Sequence, residues 1–106
     1  MPHYLFKASY SAEGLKGVVA KGGSARREAL DHLFESSGGK MESFYFAFGG
    51  TDVYTAGELP DNETASAVAL TVNSGGAAAV ETVVLLTPEE VDAAAKKSVE
   101  YAPPGQ

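Results

Sequence analysis

The chain has 106 residues, of which 44% are hydrophobic and 21% charged, which is typical of one soluble globular domain. It lacks cysteine, a signal-peptide pattern at its start and any apolar run near the roughly 20 residues that span a bilayer. Disulfides, thiol chemistry and a membrane span are therefore excluded, and a cytoplasmic location is expected. The net charge of −6 would repel the phosphate backbone of a nucleic acid, so neither nucleic acid nor membrane is an expected partner.

The chain is expected to begin with a strand and two helical segments. The stretch His3 to Tyr10 alternates in polarity, which predicts a strand with one inward face. That face carries Tyr4, Phe6, Ala8 and Tyr10. Ser11 is expected to cap the following helix, and Gly22-Gly23 to break it. A second helical piece should open at Ser24 and end at Gly38-Gly39.

Residues 40–60 are expected to form an aromatic β-hairpin. Residues 43–48 favour a strand, and Gly49-Gly50 suits a type I′ or II′ turn. This register pairs Tyr45 with Tyr54 and divides the hairpin into two faces. The apolar face carries Phe44, Phe46, Phe48, Val53, Thr55, Gly57 and Leu59, and the mixed face carries Met41, Ser43, Tyr45, Ala47, Asp52, Tyr54, Ala56 and Glu58.

The second half is expected to contain a helix, a strand and a short final helix. Asp61 or Asn62 should cap the first of these helices, and Gly75-Gly76 should stop it. Its inward stripe would be Ala65, Val68, Ala69 and Val72. Residues 78–86 favour a strand. Thr87-Pro88-Glu89-Glu90 has the pattern of a capping box and predicts a helix through Val99, followed by an extended tail.

The resulting order, β-α-β-β-α-β plus a C-terminal helix, predicts an α+β ferredoxin-like domain spanning residues 1–106. Its four-stranded antiparallel sheet would carry two helices on one face. The less apolar face would still expose Leu5, Met41, Tyr45 and Tyr54. A patch of that kind usually marks an interface, so we expect a homodimer or higher homo-oligomer packed through the sheet. Either sheet face could meet the partner.

Asp52, Tyr45, Tyr54 and His3 form one group of candidate site residues. A carboxylate between two tyrosines could act as a general base, or could instead stabilise the turn by accepting backbone N–H groups. His3 could join Asp52 or a tyrosine as an acid–base pair, or be a polar edge residue.

Arg26 and Arg27 form a second group, directly after a glycine pair at a predicted helix start. Guanidinium and backbone N–H groups there could hold a phosphate or carboxylate. The alternative is a simple helix break with an ion pair between Arg27 and Asp31. His32 has acidic neighbours at helical spacing, but two ligands make a poor metal site, so no metal is expected.

Several blocks of the chain resemble the GYD-domain proteins, a family without an established reaction. These blocks are MPHYLFKASYSAEGLKG, GGSARREA, GGKMESFYFAFGGTDV, LPDN and LLTPEEVDAAAKKSVEYAPPGQ. The Gly-Tyr-Asp element of the family corresponds here to Gly50-Thr51-Asp52, so the tyrosine is replaced. The resemblance implies the dimeric α/β-barrel class of ferredoxin-like fold.

Two function classes follow. The first is a binding module that takes a small organic, anionic ligand between sheet and helices as a homo-oligomer. The second is a cofactor-free oxygenase or isomerase for an activated aromatic or enolisable substrate, with Asp52 as base and Tyr45 and Tyr54 orienting it. The first is favoured because the chain lacks a convincing acid–base constellation. No cofactor is expected, and the sequence leaves open whether the protein is an enzyme.

Overall fold

A computed structural model describes residues 1–105 and contains the predicted elements in the predicted order. They are β1 (His3–Tyr10), α1 (Ala12–Lys21), α2 (Gly23–Ser36), β2 (Lys40–Phe46), β3 (Val53–Glu58), α3 (Asn62–Gly75), β4 (Ala78–Leu85) and α4 (Pro88–Ala95). The strands form one antiparallel sheet in the order β2-β3-β1-β4. The prediction of an α+β ferredoxin-like fold is therefore confirmed.

The central strand β1 organises the core. Tyr4 lies opposite Gly57 and Val84, and Tyr4 and Phe6 are both buried. Phe34 of α2 meets Phe6 edge-on, with ring centroids 5.9 Å apart. The buried cluster consists of Tyr4, Phe6, Phe34, Leu59 and Ala65. The predicted inward face of β1 thus supplies the centre of the core, and α2 and α3 cover it.

The helix starts predicted at Ser11, Asp61 and Thr87 are confirmed, whereas α2 begins at Gly23, one residue before the predicted Ser24, and has no side-chain cap. Ser11 Oγ accepts a hydrogen bond from the Gly14 N–H at 3.1 Å, and Asp61 Oδ1 accepts one from the Thr64 N–H at 2.8 Å. Thr87 and Glu90 form the reciprocal capping box, with distances of 3.0 and 3.1 Å. These bonds satisfy backbone donors that have no partner within their own helix.

The hairpin keeps its predicted register near the turn but not further along. Tyr45 lies opposite Tyr54, as predicted. The ladder bulges between Met41 and Ser43, so Met41 lies opposite Gly57 and packs against the core. Its predicted place on the mixed face is wrong, because one extra residue in a strand reverses which side each earlier residue faces.

Two further differences concern where elements end. Regular pairing of the hairpin stops before residues 47–52, and Phe48 lies in that connection fully exposed instead of on a buried face. The last helix, α4, ends at Ala95 and not at Val99. The backbone N–H groups of Lys96 and Lys97 donate three residues back, to the Ala93 and Ala94 carbonyls, so the helix closes there in a tighter 3₁₀-type turn.

The tight approach of β2 and α2 to Gly57 gives a test of the core. A Cβ atom at Gly57 would lie 2.6 Å from Phe34 Cε1 and 2.9 Å from Met41 Cα, too close for either to remain in place. We expect Gly57→Ala to lower the free energy of unfolding by about 1–3 kcal/mol, as overpacking does. Urea denaturation followed by circular dichroism measures this change.

Gly17→Ala is the matched control, because a Cβ atom there would meet nothing within 4 Å. Its position within α1 predicts a gain of roughly 0.5–1 kcal/mol. Equal unfolding midpoints for the two variants would contradict the packing described at Gly57.

Candidate functional site

The sheet face that points away from α2 and α3 is called the open face here. Tyr45 and Tyr54 lie on it directly opposite each other, with 70% and 39% of their surfaces exposed. Leu5 and Lys7 of β1 lie on the same face beside Ala56 and Tyr54. Two large aromatic side chains therefore stand on a surface that a lone domain leaves in water.

His3 lies at one end of the open face between two glutamates. Its Nδ1 atom is 3.0 Å from Glu42 Oε1, and its Nε2 atom is 3.7 Å from Glu58 Oε1. Glu42 is the extra residue of the bulge in β2, so the bulge is what brings this carboxylate to the histidine. Sequence reasoning missed the cluster because nothing in the local sequence indicated the bulge.

Asp52 lies at the opposite end of β1 and is held by the backbone. Its Oδ2 atom accepts a hydrogen bond from the Tyr10 N–H at 2.8 Å, and its own N–H donates to the Ala8 carbonyl at 2.8 Å. Ser9 Oγ adds a bond of 2.7 Å to the Gly50 carbonyl. These contacts tie the hairpin connection to the end of β1, as expected of a residue that stabilises a turn.

The structure does not bring His3 and Asp52 together. His3 is paired with Glu58, whereas Asp52 bonds to Ala8 and Tyr10, at the far end of the same strand. At about 3.3 Å per residue, the five positions from His3 to Ala8 separate them by roughly 16 Å. The acid–base pair considered for these two residues is not formed in this arrangement.

Arg26 lies in the first turns of α2 with part of its guanidinium inside the protein. Its Nε atom is buried and has no hydrogen-bond partner within the described chain. The side chain borders an apolar cavity of about 50 Å³ between α2, α3 and the sheet. Phe6, Leu30, Phe34, Val68 and Val80 are among the residues that line this cavity. A cationic group therefore lies at the edge of the hydrophobic core.

The same arginine also borders a larger groove between α1, α2 and α3, called the helix groove here. Its volume is about 660 Å³. Tyr10, Gly14, Val18, Lys21, Thr71 and Val72 are among its other lining residues. Lys21 and Arg26 are the cations of this lining, and Glu13 is the acid. The groove thus combines apolar walls with a positive charge at its inner side.

Arg27 behaves differently from its neighbour. It is exposed and lines neither the cavity nor the helix groove. Successive helical residues point about 100° apart, so only one of the two arginines can face inward. The ion pair considered between Arg27 and Asp31 is not among the salt bridges formed by residues 1–105.

A further groove, between α3 and the outer edge of β4, was not expected from the sequence. It has a volume of about 520 Å³. Tyr4 donates a hydrogen bond to Asn62 Oδ1 there at 2.7 Å, and Thr82 Oγ1 is buried with no partner in the described region. Asn73 accepts from the Val80 N–H at 2.7 Å and donates to the Val80 carbonyl at 3.4 Å.

Three ionisable groups are perturbed, each for a structural reason. Burial raises the pKa of Tyr4, and the nearby Asp61 charge acts in the same direction. Hydrogen bonds from Thr64 lower the pKa of the Asp61 carboxyl. Bonds with Thr87 lower the pKa of Glu90, helped by the positive fields of His3 and the N-terminal amino group. All three shifts belong to the core or to helix caps, and none marks a catalytic acid or base.

Two kinds of site are absent from the described part of the chain. Within residues 1–105, no group of three or more histidine and acidic side chains is arranged to hold a metal ion. None of the helices described is long and apolar enough to cross a membrane.

Comparison with known families finds one match. The model of the GYD domain matches residues 4–95, which covers the four helices and, apart from His3, the four strands. Comparisons with curated proteins and with solved structures find no match. Because the matched range spans most of the chain, the protein belongs to the GYD-domain family.

Proposed function

We propose that this protein is a homo-oligomeric binding module that holds a small organic anion in the helix groove, with Arg26 as the anchoring cation. The observation that supports this proposal is the buried Nε atom of Arg26, which has no acceptor within residues 1–105. A buried donor without a partner costs about 1–3 kcal/mol, and more when it is charged. A carboxylate or phosphate oxygen of a ligand would remove that cost once the Arg26 side chain turns its Nε–H toward the helix groove.

The chemistry of the groove defines the class of ligand. A guanidinium binds carboxylate and phosphate groups through charge-assisted hydrogen bonds, and Lys21 adds a second positive charge. Val18, Val72 and Tyr10 provide apolar contact for the rest of the molecule. The volume of about 660 Å³ falls in the range of small-molecule sites, roughly 300–1,000 Å³. A compact organic acid with one anionic end meets these requirements.

Thermal unfolding in the presence of benzoate tests this site, with inorganic phosphate as a second probe. If benzoate binds with a Kd near 1 mM, 10 mM benzoate stabilises the fold by about 1.4 kcal/mol and raises Tm. Arg26→Met should abolish the increase, because it removes the guanidinium and keeps an unbranched apolar side chain. Arg27→Met, which changes the exposed neighbour, should leave the increase unchanged.

Equal stabilisation of both variants by benzoate would overturn the assignment of Arg26. Stabilisation by phosphate and not by benzoate would keep the anionic site but assign it to an inorganic or phosphorylated ligand.

The homo-oligomeric part of the proposal rests on the open face. The helices cover one side of the sheet, and Tyr45 and Tyr54 remain exposed on the other. Burying apolar surface gains about 25 cal/mol per Å², so a second copy that covers this face stabilises the pair. When each copy covers the open face of the other in the same way, the contact satisfies a two-fold axis.

Light scattering coupled to gel filtration tests this assembly. We expect the native chain to elute at twice its 11.0 kDa mass or more, and Tyr54→Lys to elute as a monomer because assembly would bury an ammonium group without a partner. Val19→Lys places the same charge on an exposed residue of α1 and should leave the mass unchanged. A native protein of 11.0 kDa would overturn the assembly.

The contacts of Asp52 test the alternative of a cofactor-free enzyme with this residue as base. Asp52 Oδ2 accepts a hydrogen bond from the Tyr10 N–H at 2.8 Å, which supports a structural role. Asp52→Ala should lower the free energy of unfolding by about 1–2 kcal/mol, whereas Asp52→Asn keeps an oxygen acceptor and should lose much less. If chemical denaturation found both variants equally destabilised, the charge itself would be required and this hydrogen bond would not explain the residue.

A further inference from the structure

The last twenty described residues, 86–105, form an arm that leaves the domain; we call it the C-terminal arm. Every side chain from Pro88 to Gly105 is exposed, and α4 makes only marginal contact with the rest of the chain. The molecule measures 56 × 33 × 23 Å, and its radius of gyration is 16.8 Å. A compact domain of this length has a radius of gyration of about 13 Å, so the arm extends well beyond the folded body.

The arm carries apolar side chains that have nothing to pack against. Leu86 and Val91 are more than half exposed, and Val99 and Tyr101 are 82% and 72% exposed. An isolated helix shorter than about 12–15 residues is marginal in water, and most helices are stabilised by packing an apolar face. The eight-residue helix α4, even with its capping box, therefore requires packing against another surface to be stable.

The start of the arm fixes where such a surface can be. Leu85, the last residue of β4, is paired with His3, and Glu90 lies within the electrostatic field of His3 and of the N-terminal amino group. The arm thus departs from the His3 end of the sheet. Tyr45 and Tyr54 of its own open face stay exposed, so the arm does not cover that face in its own chain.

We propose that the C-terminal arm of one copy lies across the open face of a second copy, with the two arms exchanged about a two-fold axis. This inference rests on the homo-oligomer proposed above and names the surface that each copy contributes. The chain carries two apolar surfaces that do not meet within one molecule: the arm, and the open face around Leu5, Tyr45 and Tyr54. Exchange between two copies buries both.

The dimensions allow this exchange. The eight residues of α4 span about 12 Å, and the ten that follow span up to roughly 33 Å when extended. Four strands at about 4.8 Å spacing make a sheet only some 14–19 Å across. The arm is therefore long enough to cross the whole open face of the partner. Val99 and Tyr101 would then lie on that face, past the edge at which the arm first reaches it.

Disulfide trapping between two different chains tests the exchange, because the protein has no cysteine of its own. One chain carries Val99→Cys, and a second, with a distinguishable tag, carries cysteine in place of Leu5, Tyr45 or Tyr54. The two are co-expressed and oxidised. We expect at least one of these pairs to give a mixed disulfide several-fold more abundant than the control pair of Val99→Cys with Val19→Cys on α1.

The oligomeric state separates the two proposals. A dimer by light scattering in which no open-face pair exceeds the α1 control would overturn arm exchange and leave the homo-oligomer standing. A monomeric native protein would overturn both.

As a second measurement, Val99→Asp should raise the dimer dissociation constant at least ten-fold, whereas Ser98→Asp, with the same charge one residue earlier, should change it less than three-fold. Equal effects would contradict packing by Val99.

Discussion

Two helices can cover only one face of a four-stranded sheet, and this constraint governs most of the molecule. The covered face holds Tyr4 and Phe6 against Phe34, and this contact makes the core. The other face is left with tyrosines among charged side chains. The exposed tyrosines therefore follow from a fold in which one sheet face has no helix over it.

The parts of the fold that depend on neighbouring residues could be predicted from the sequence. The side chains of Ser11, Asp61 and Thr87 each accept a hydrogen bond from the backbone N–H three residues ahead. The spacing in the sequence therefore specifies the contact directly. The pairing of Tyr45 with Tyr54 was predictable because the register of a hairpin is counted outward from its turn. The bulge at Glu42 has no such local signal, and it is what moved Met41 to the core and brought a carboxylate to His3.

The residues of the candidate site could be predicted from the sequence, but their positions relative to one another could not. Arg26 and Arg27 are equivalent as a sequence pattern, and only the rotation of α2 against the sheet decides which one reaches the interior. In the same way, Asp52 and His3 could be grouped as one candidate site, yet Asp52 lies in the hairpin connection beside the Tyr10 end of β1, and His3 begins that strand. The capping box predicted α4, but it did not indicate that the helix would have almost nothing to pack against within its own chain.

The bond between Asn73 and the backbone of Val80 has a consequence for how copies of this chain can meet. The outer side of β4 is a row of main-chain donors and acceptors, which in many proteins recruits a strand from another molecule. Here a side-chain amide occupies both groups of Val80, so an incoming strand would first have to displace it. At this point the edge of β4 therefore resists pairing with a strand of another molecule, whatever covers the open face of the sheet.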